Sequence, residues 1–480
     1  MIAFTAADLA GITGGALHAL DGATVVAGPV VADSREVIPG ALFVAIAGEH
    51  TDGHAFAAGA VDAGAAAVLA AHEVTGADGA PLPAIVVPDV VRALGALARE
   101  VLCRLREASA EPGGSGLRVV AVTGSVGKTT TKDLLLQVLG AAGPTIAPVR
   151  SFNNEIGLPL TVLRADEDTR YLVLEMGASG IGHIAYLTGI APPDVAVVLV
   201  VGAAHVGEFG SIEATARAKS ELVTGLVPGG VAVLNADDAR VAGMAALAPA
   251  EVVTFGLSSS AQVRGVDVWL ADGGHPAFTL VDSRRGAPRS VPVRLRLVGE
   301  HHVHNALAAA AAALVVGLDL DDVAAHLADA DALSPHRMHV VDRPDGVTVI
   351  DDSYNANPDS MRAALKALAA LAGRDRRSVA VLGEMLELGP QSRTAHDAIG
   401  RLAVRLDIGL TVVVGDGARA IADGASHEGS WGDEVALVDD VDAAAALLET
   451  ELRPGDVVLV KSSYGAGLWR LGDRLLEVGA

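Results

Sequence analysis

The sequence predicts an α/β protein of three domains: a small N-terminal α/β domain, a central domain on a parallel sheet with a phosphate-binding loop, and a C-terminal Rossmann-like α/β domain. The chain of 480 residues is too long for one ordinary core. From residue 117 onward, valine- and leucine-rich runs alternate with glycine turns and helical stretches. A linker, EASAEPGGSG (107–116), and a break at LSPHRM (333–338) separate the parts. We place the domains at 1–111, 112–333 and 334–480.

The composition bounds the classes of partner. The chain has 58 acidic against 35 basic residues, a net charge of −23, which argues against nucleic acid or an anionic membrane as partner. Its single cysteine, Cys103, excludes a disulfide framework and fits a reducing compartment. The N-terminus lacks the basic segment of a signal peptide, and the longest apolar runs are too short to span a bilayer. We therefore expect a cytoplasmic protein without membrane insertion.

The predicted first domain contains one unusual segment, DSREVIPGALFVAIAGEHTDGHAF (33–56). By composition, its Asp-Ser-Arg start indicates only a turn. No ligand can be assigned from these residues alone.

The central domain opens with a candidate phosphate loop, VTGSVGKTTTKD (122–133), between a predicted strand and a predicted helix. In that setting, backbone amides close around phosphate oxygens, Lys128 reaches the β- and γ-phosphates, and the Thr129 hydroxyl faces Mg²⁺. The strict pattern places a glycine where this chain has Val122, and the alternative is a glycine turn that binds nothing. The strand–turn–helix context favours ATP binding by Thr123, Gly124, Ser125, Gly127, Lys128, Thr129 and Thr130.

Two candidate metal ligands come after neighbouring strands. Glu175 ends YLVLE (171–175), and His205 comes after the next apolar run. Because the carboxyl ends of parallel strands meet at one sheet edge, both side chains are expected near the phosphate loop. The alternatives are a solvated glutamate and an ordinary surface histidine.

Lys219, in ATARAKSELV (214–223), draws attention because the chain has only five lysines, at 128, 132, 219, 366 and 461. The ordinary interpretation is a solvated helix face. A neutral lysine amine reacts with CO₂ to give an anionic carbamate, which arginine cannot do because it stays protonated. A carbamate beside Mg²⁺ would explain why this position holds a lysine.

Several motifs together resemble the Mur ligases, ATP-dependent amide-forming enzymes of peptidoglycan synthesis. They are VTGSVGKTTTKD, SFNNEIGLPLTVL, LEMGAS, AHVGEFGS and AKSEL, and the resemblance runs the whole length in the same domain order. Within the family, NNEIGLPL, DDSYNANPDSM and LGEMLELG are similar to the branch that adds D-alanyl-D-alanine to UDP-N-acetylmuramoyl-tripeptide. The resemblance implies these two substrates, ATP, two Mg²⁺ ions, an acyl-phosphate intermediate and a monomer.

The resemblance also implies residue roles. In the family, the lysine matching Lys219 is carbamylated and holds the second Mg²⁺ with the histidine matching His205, while Thr129 and Glu175 hold the first. Catalytic roles fall on Lys128, Lys219, His205 and Arg337. The nucleotide is expected on Asn305 (adenine), Arg337 (γ-phosphate), Asp352 (ribose) and Tyr354 (base or ribose). The substrates are expected on Ser34, Arg35, Thr51 and Asp52 (uridine diphosphate), Asn153 and Asn154 (sugar–peptide), and Asn355 and Asn357, which otherwise only cap a helix.

Two departures from the family pattern stand out. Relatives commonly have Lys-Gly-Ser-Arg where this chain has Lys461 followed by Ser462, Ser463 and Tyr464, and His183 stands where glutamate is usual. The sequence leaves open whether the third peptide residue is diaminopimelate or lysine. The alternatives are a family member that adds a diamino acid or glutamate, a P-loop NTPase that drives movement or binding, and a pure binding protein.

Overall fold

The computed structural model describes residues 1–48, 51–149, 151–202, 210–429 and 434–477, which form three successive α/β sheet systems. No helix in these ranges is both long enough and apolar enough to cross a membrane.

The first domain has a five-stranded sheet in the order β2-β7-β6-β5-β4, parallel except for β2, and a small β1-β3 pair. Its strands are β1 Phe4–Thr5, β2 Ala16–His18, β3 Val25–Val26, β4 Val30–Val31, β5 Leu42–Val44, β6 Ala67–Ala70 and β7 Ala84–Val86. Its helices are α1 Ala6–Thr13, α2 Ala57–Asp62 and α3 Val90–Ala110.

The central domain has a nine-stranded sheet in the order β16-β15-β14-β13-β12-β11-β8-β10-β9. Its strands are β8 Arg118–Thr123, β9 Thr145–Ile146, β10 Tyr171–Glu175, β11 Val195–Val198, β12 Val231–Asn235, β13 Glu251–Gly256, β14 Val263–Ala271, β15 His275–Asp282 and β16 Arg289–Arg294. Its helices are α4 Lys128–Gly140, α5 Gly157–Val162, α6 His183–Ile190, α7 Ile212–Thr224, α8 Ala239–Gly243, α9 His302–Val315 and α10 Leu320–Asp329.

The third domain has a six-stranded sheet in the order β17-β18-β22-β19-β20-β21, parallel except for β17. Its strands are β17 His339–Asp342, β18 Thr348–Asp351, β19 Ser378–Leu382, β20 Leu410–Val414, β21 Val435–Val438 and β22 Val457–Lys461. Its helices are α11 Pro358–Ala372, α12 Ser392–Arg405, α13 Arg419–Glu428, α14 Val441–Glu451 and α15 Trp469–Glu477.

The first two domains share a hydrophobic core, whereas the third domain is largely separate from it. Helix α3 contributes a row of buried apolar residues to one hydrophobic cluster that contains both first-domain and central-domain side chains. The third domain buries its apolar residues mainly in two clusters of its own. Because a shared core resists relative motion, the first two domains form one packed unit, and the third is attached as a separate lobe.

The connection to the third domain is anchored on both sides. On the central side, the backbone N–H of Ser334 donates to Asp133, and Lys132 donates to the Ser334 hydroxyl and pairs with Asp133. On the other side, His336 contacts Asp351 and the Met338 N–H donates to Asp352. His336 and Met338 have φ of 58° and 50°, in the left-handed region that non-glycine residues rarely adopt, so the surrounding contacts hold this segment in a strained conformation.

The predicted α/β class and its three-part architecture are confirmed, and the structure adds one feature. Strands β14, β15 and β16 form an antiparallel meander that extends the otherwise parallel central sheet. The sequence pattern did not indicate these strands. The boundaries at 111/112 and 333/334 stay a prediction.

Candidate functional site

A cavity of about 970 Å³ opens where the carboxyl ends of the central strands face the third domain. The first domain contributes the start of α3 to its wall, and the central domain contributes the phosphate loop and Glu175. Arg337, Asp352 and Tyr354 come from the third domain and the segment that joins it to the central domain. Ligands of open parallel sheets bind outside the carboxyl ends of the strands, so this is the expected position of an active site.

The phosphate loop has the backbone that its sequence predicts. Gly127 has φ 84°, and a Cβ at this residue would lie 2.4 Å from Asn305 Oδ1, so both conformation and space require glycine. Helix α4 begins at Lys128, whose ammonium donates to the Gly124 carbonyl at 2.9 Å. Burial, reinforced by Arg337, lowers the pKa of Lys128, while Glu175 opposes that shift. The backbone N–H groups at the start of α4 and the Lys128 ammonium therefore lie together, which is the arrangement that binds phosphate.

Glu175 is fixed beside this loop. Strand β10 pairs with β8 so that Glu175 lies opposite Val122, at the sheet edge where the loop begins. The Thr129 hydroxyl donates to Glu175 Oε2 at 3.0 Å, and the Asn153 amide donates to Oε1 at 2.8 Å. The predicted closeness of Thr129 and Glu175 is therefore present in the structure, with Asn153 as an unexpected third member.

Ser151 extends this chain of contacts to the third domain. Its hydroxyl lies 2.9 Å from the Thr129 hydroxyl, and Arg337 Nη2 donates to it at 3.2 Å. The Arg337 guanidinium also lies 4.3 Å from the centre of the Tyr354 ring, within cation–π range. Arg337 is thereby held over the phosphate loop from across the domain connection.

Lys219 lies in α7 and lines the same cavity with only 3% of its surface exposed. Burial, with a smaller contribution from the nearby charge of Lys128, lowers the pKa of Lys219 from 10.5 to about 7. A substantial fraction of its amine is therefore neutral near neutral pH, which is the form that reacts with CO₂. His205 lies outside the described residues.

Asp352, the predicted ribose acceptor, is already engaged at both oxygens. Oδ1 accepts the Met338 N–H at 3.1 Å, and Oδ2 accepts from Lys461, whose ammonium also donates to the Asn355 carbonyl at 2.9 Å. Because each oxygen of a carboxylate can accept more than one hydrogen bond, Asp352 can still accept one from a ribose hydroxyl. Lys461 thus fixes the loop that carries Tyr354, although Ser462 and Tyr464 depart from the Lys-Gly-Ser-Arg pattern.

Some of the remaining predicted site residues line the cavity, and others do not. Ser125, Thr130, Asn154, Asn305, Asn355 and Asn357 line the cavity. Asn357 also caps helix α11, accepting from the Ser360 N–H, and Asn154 accepts from the N–H of Gly157, the first residue of α5. Thr123 and Gly124 of the phosphate loop are not among the lining residues, and neither are the first-domain residues Ser34, Arg35, Thr51 and Asp52. There, Arg35 pairs with Asp33, and Asp52 contacts His54.

Sequence reasoning missed Ser151, Lys132, Asp133 and the anchoring role of Lys461. A signal was available for two of them, because lysine is scarce in this chain. Lys132 and Lys461 are each 1% exposed, as deeply buried as Lys219. A buried lysine needs a specific partner, so scarcity combined with an apolar context would have singled out all three.

Comparison with known proteins identifies the class. Three family models match: the Mur ligase family catalytic domain at residues 29–101, the Mur ligase middle domain at 122–313 and the Mur ligase glutamate ligase domain at 336–464. Together with the phosphate loop and the three-domain fold, they define an ATP-dependent ligase. The chain belongs to the Mur ligase family.

Three individual proteins are similar to this chain over more than nine-tenths of its length. The UDP-N-acetylmuramoyl-tripeptide--D-alanyl-D-alanine ligase of Mycobacterium tuberculosis is 48% identical, covering 99% of this chain and 98% of that protein. An Acinetobacter baumannii structure, named UDP-N-acetylmuramoylalanyl-D-glutamyl-2,6-diaminopimelate--D-alanyl-D-alanyl ligase, is 31% identical with a TM-score of 0.81, covering 99% and 98%. MurF from Thermotoga maritima in complex with ADP is 30% identical with a TM-score of 0.76, covering 93% and 96%.

Proposed function

We propose that this protein joins D-alanyl-D-alanine to UDP-N-acetylmuramoyl-tripeptide, coupled to conversion of ATP to ADP and inorganic phosphate, as a monomer in the cytoplasm, in peptidoglycan precursor synthesis. The observation that carries the proposal is the chain of contacts from Glu175 through Thr129 and Ser151 to Arg337. It joins a phosphate loop to a cation from another domain, inside a cavity large enough for several ligands. The names of the similar ligases supply the substrates.

The chemistry arises from the need to activate a carboxylate. A carboxylate oxygen of the tripeptide attacks the γ-phosphorus of ATP, ADP leaves, and an acyl phosphate forms. The amine of D-alanyl-D-alanine then attacks the acyl carbon and gives up a proton to solvent, and inorganic phosphate leaves. Lys128 and Arg337 stabilise the charge that develops on the transferred phosphoryl group, which is the main contribution of protein to this kind of reaction.

The donor set beside the phosphate loop fits Mg²⁺. Glu175 offers a carboxylate and Thr129 a hydroxyl, joined at 3.0 Å, and hard oxygen ligands of this kind suit a small divalent cation. We assign the first ion to these residues and the second to His205 and a carbamate on Lys219. When bound, the two ions supply positive charge that offsets the phosphate oxygens.

The state of Lys219 supports its role as a carbamate. Its amine is buried and its pKa is lowered to about 7, so the nucleophilic neutral form is available. An arginine would stay protonated. A carbamate would convert a buried cation beside Lys128 into an anion, which relieves the repulsion between the two lysines and supplies an oxygen ligand.

Closure of the third domain is part of the proposal. The nucleotide is expected to contact the central domain through Asn305 and the third domain through Arg337, Asp352 and Tyr354. The third domain has its own core and is joined to the central domain through the strained segment 334–338, so rotation about this segment would bring Asp352 and Tyr354 onto ATP bound beside Arg337.

The test is ADP release under substrate omission. The purified protein should release ADP continuously only when ATP, Mg²⁺, UDP-N-acetylmuramoyl-tripeptide and D-alanyl-D-alanine are all present. Without the dipeptide, release should stop at about one ADP per enzyme, because the acyl phosphate has no acceptor. Sustained ATP hydrolysis without any amine would indicate a P-loop NTPase instead. Turnover with glutamate or a diamino acid in place of the dipeptide would indicate another branch of the family.

A further inference from the structure

The charge around the cavity poses a problem for an anionic substrate. Among the residues that the structure describes, its lining contains eight carboxylate side chains but only five lysines and arginines: Arg92, Lys128, Lys219, Arg337 and Lys461. Lys128, Lys219 and Arg337 surround the phosphate loop, and Lys461 is neutralised by Asp352. Arg92 is therefore the lining cation left for another negative group.

Arg92 differs in position from the other four lysines and arginines of the lining. It lies in the first turn of α3, on the first-domain side of the cavity, and is exposed. Its backbone N–H donates to the capping residue Asp89. Within the part of the chain that the structure describes, its guanidinium makes no ion pair or hydrogen bond, whereas most of the other described arginines are engaged by carboxylates or carbonyls.

The wall around Arg92 is built of polar groups from two domains. Tyr186 of α6 lies against α3, with its hydroxyl 2.9 Å from where a Cβ on Gly95 would be. Asp89, Arg92, Glu155 and Tyr186 line the same cavity, and burial raises the pKa of the Tyr186 hydroxyl. Asn154 and Glu155 complete this part of the lining.

The proposed substrate must pass this wall. Its uridine diphosphate end is assigned to the first domain, through residues that do not line the cavity, whereas the reacting carboxylate must reach the phosphate loop. The peptide therefore lies between them. The similar A. baumannii ligase names its peptide as alanyl-D-glutamyl-2,6-diaminopimelate. A glutamyl residue inside a peptide keeps one free carboxylate, and diaminopimelate keeps one carboxylate besides the one that reacts.

We propose that Arg92 binds a carboxylate of the peptide that does not take part in the reaction, and thereby contributes to the enzyme's choice of peptide. The proposal rests on the proposed function. A guanidinium recognises a carboxylate through two parallel hydrogen bonds, and an unpaired arginine facing a cavity is available for this without breaking an existing pair. Two sources supply the same chemistry, the D-glutamyl carboxylate and the side-chain carboxylate of diaminopimelate.

The experiment compares Arg92→Gln with wild type on three UDP-N-acetylmuramoyl-tripeptides. The first contains D-glutamate and diaminopimelate, the second replaces D-glutamate by its carboxamide, D-isoglutamine, and the third replaces diaminopimelate by lysine. Arg99→Gln is the matched control, because Arg99 lies two helical turns further along α3, is also exposed and does not line the cavity. KM and kcat are measured for each peptide at saturating ATP and D-alanyl-D-alanine.

On the first peptide, Arg92→Gln should raise KM by about 10- to 100-fold with a small change in kcat, because a charge-assisted contact is lost. On either the second or the third peptide, wild type and Arg92→Gln should have the same KM, and that peptide identifies the carboxylate. KM for ATP should not change, and Arg99→Gln should behave as wild type. An equal loss on all three peptides, or no loss on any, overturns the proposal. If wild type turns over none of them, the proposed function fails instead.

Discussion

Replacing Lys219 by methionine should stabilise the ligand-free protein while abolishing its activity. Methionine has a similar length and flexibility but no charge, so it fits the buried position in α7 without placing an unpaired cation there. Lys219, which we propose is essential for catalysis, thus lowers the stability of the folded protein.

The magnitude can be worked out from the pKa of Lys219. In the unfolded chain the amine keeps its proton up to about 10.5, whereas in the folded protein it releases the proton above about 7. A difference of about 3.5 in pKa corresponds to about 5 kcal/mol, the full penalty below pH 7. Between these pKa values the unfolded state binds more protons, so wild-type stability rises with pH and the penalty shrinks to about 2 kcal/mol at pH 9.

The assay is denaturant unfolding of both proteins in CO₂-free buffer without Mg²⁺ or nucleotide, followed by circular dichroism at pH 6 and pH 9. Lys219→Met should be more stable at both values, with a stability advantage about 3 kcal/mol larger at pH 6. CO₂ removal matters because a carbamate would remove the buried cation from wild type. A mutant that is no more stable than wild type, or an advantage that does not decrease with pH, would refute the reasoning.

Three further substitutions test the rest of the site. Gly127→Ala forces a residue with φ 84° to carry a Cβ 2.4 Å from Asn305 Oδ1, so calorimetry should show at least about tenfold weaker ATP binding, and unchanged affinity would contradict the loop geometry. Glu175→Gln keeps the hydrogen-bond acceptor for Thr129 but removes the charge, so kcat should fall by roughly 10²- to 10³-fold and half-maximal activity should need more Mg²⁺. An unaltered Mg²⁺ titration would remove Glu175 from the metal site. Lys461→Met leaves the Asp352 carboxylate without its buried cation and should destabilise the protein by about 3–5 kcal/mol. A second change, Asp352→Asn, should recover much of that loss in denaturation experiments, and a double mutant no better than the single one would show that the two residues are not coupled.

The parts of the site that the sequence predicted are those set by local rules. A glycine loop between a strand and a helix turns backbone amides towards one point, which favours phosphate binding, and Glu175 reaches this loop because parallel strands end at one edge. Lys219 could be singled out because lysine is scarce in this chain. The same reasoning applied to Lys132 and Lys461 would have indicated the anchors of the domain connection.

The features that the sequence did not predict depend on contacts between distant segments. Ser151 contacts both Thr129 and Arg337, and Arg337 lies 186 residues further along the chain than Ser151. Nothing in the sequence around this serine indicates the second contact. Strands β14 to β16 contain glycine and charged residues and border the sheet, so their alternation of apolar and polar residues is weak. Arg92 became a candidate only when the cavity showed which cations already had partners.

The most direct measurement is a crystal structure with ADP and Mn²⁺, grown in bicarbonate, in which anomalous scattering locates the ions. One peak should contact Thr129 and Glu175 beside the nucleotide phosphates, and a second should be held by a carbamate on Lys219. Peaks elsewhere, or ADP bound away from the loop at Gly127 and Lys128, would contradict it.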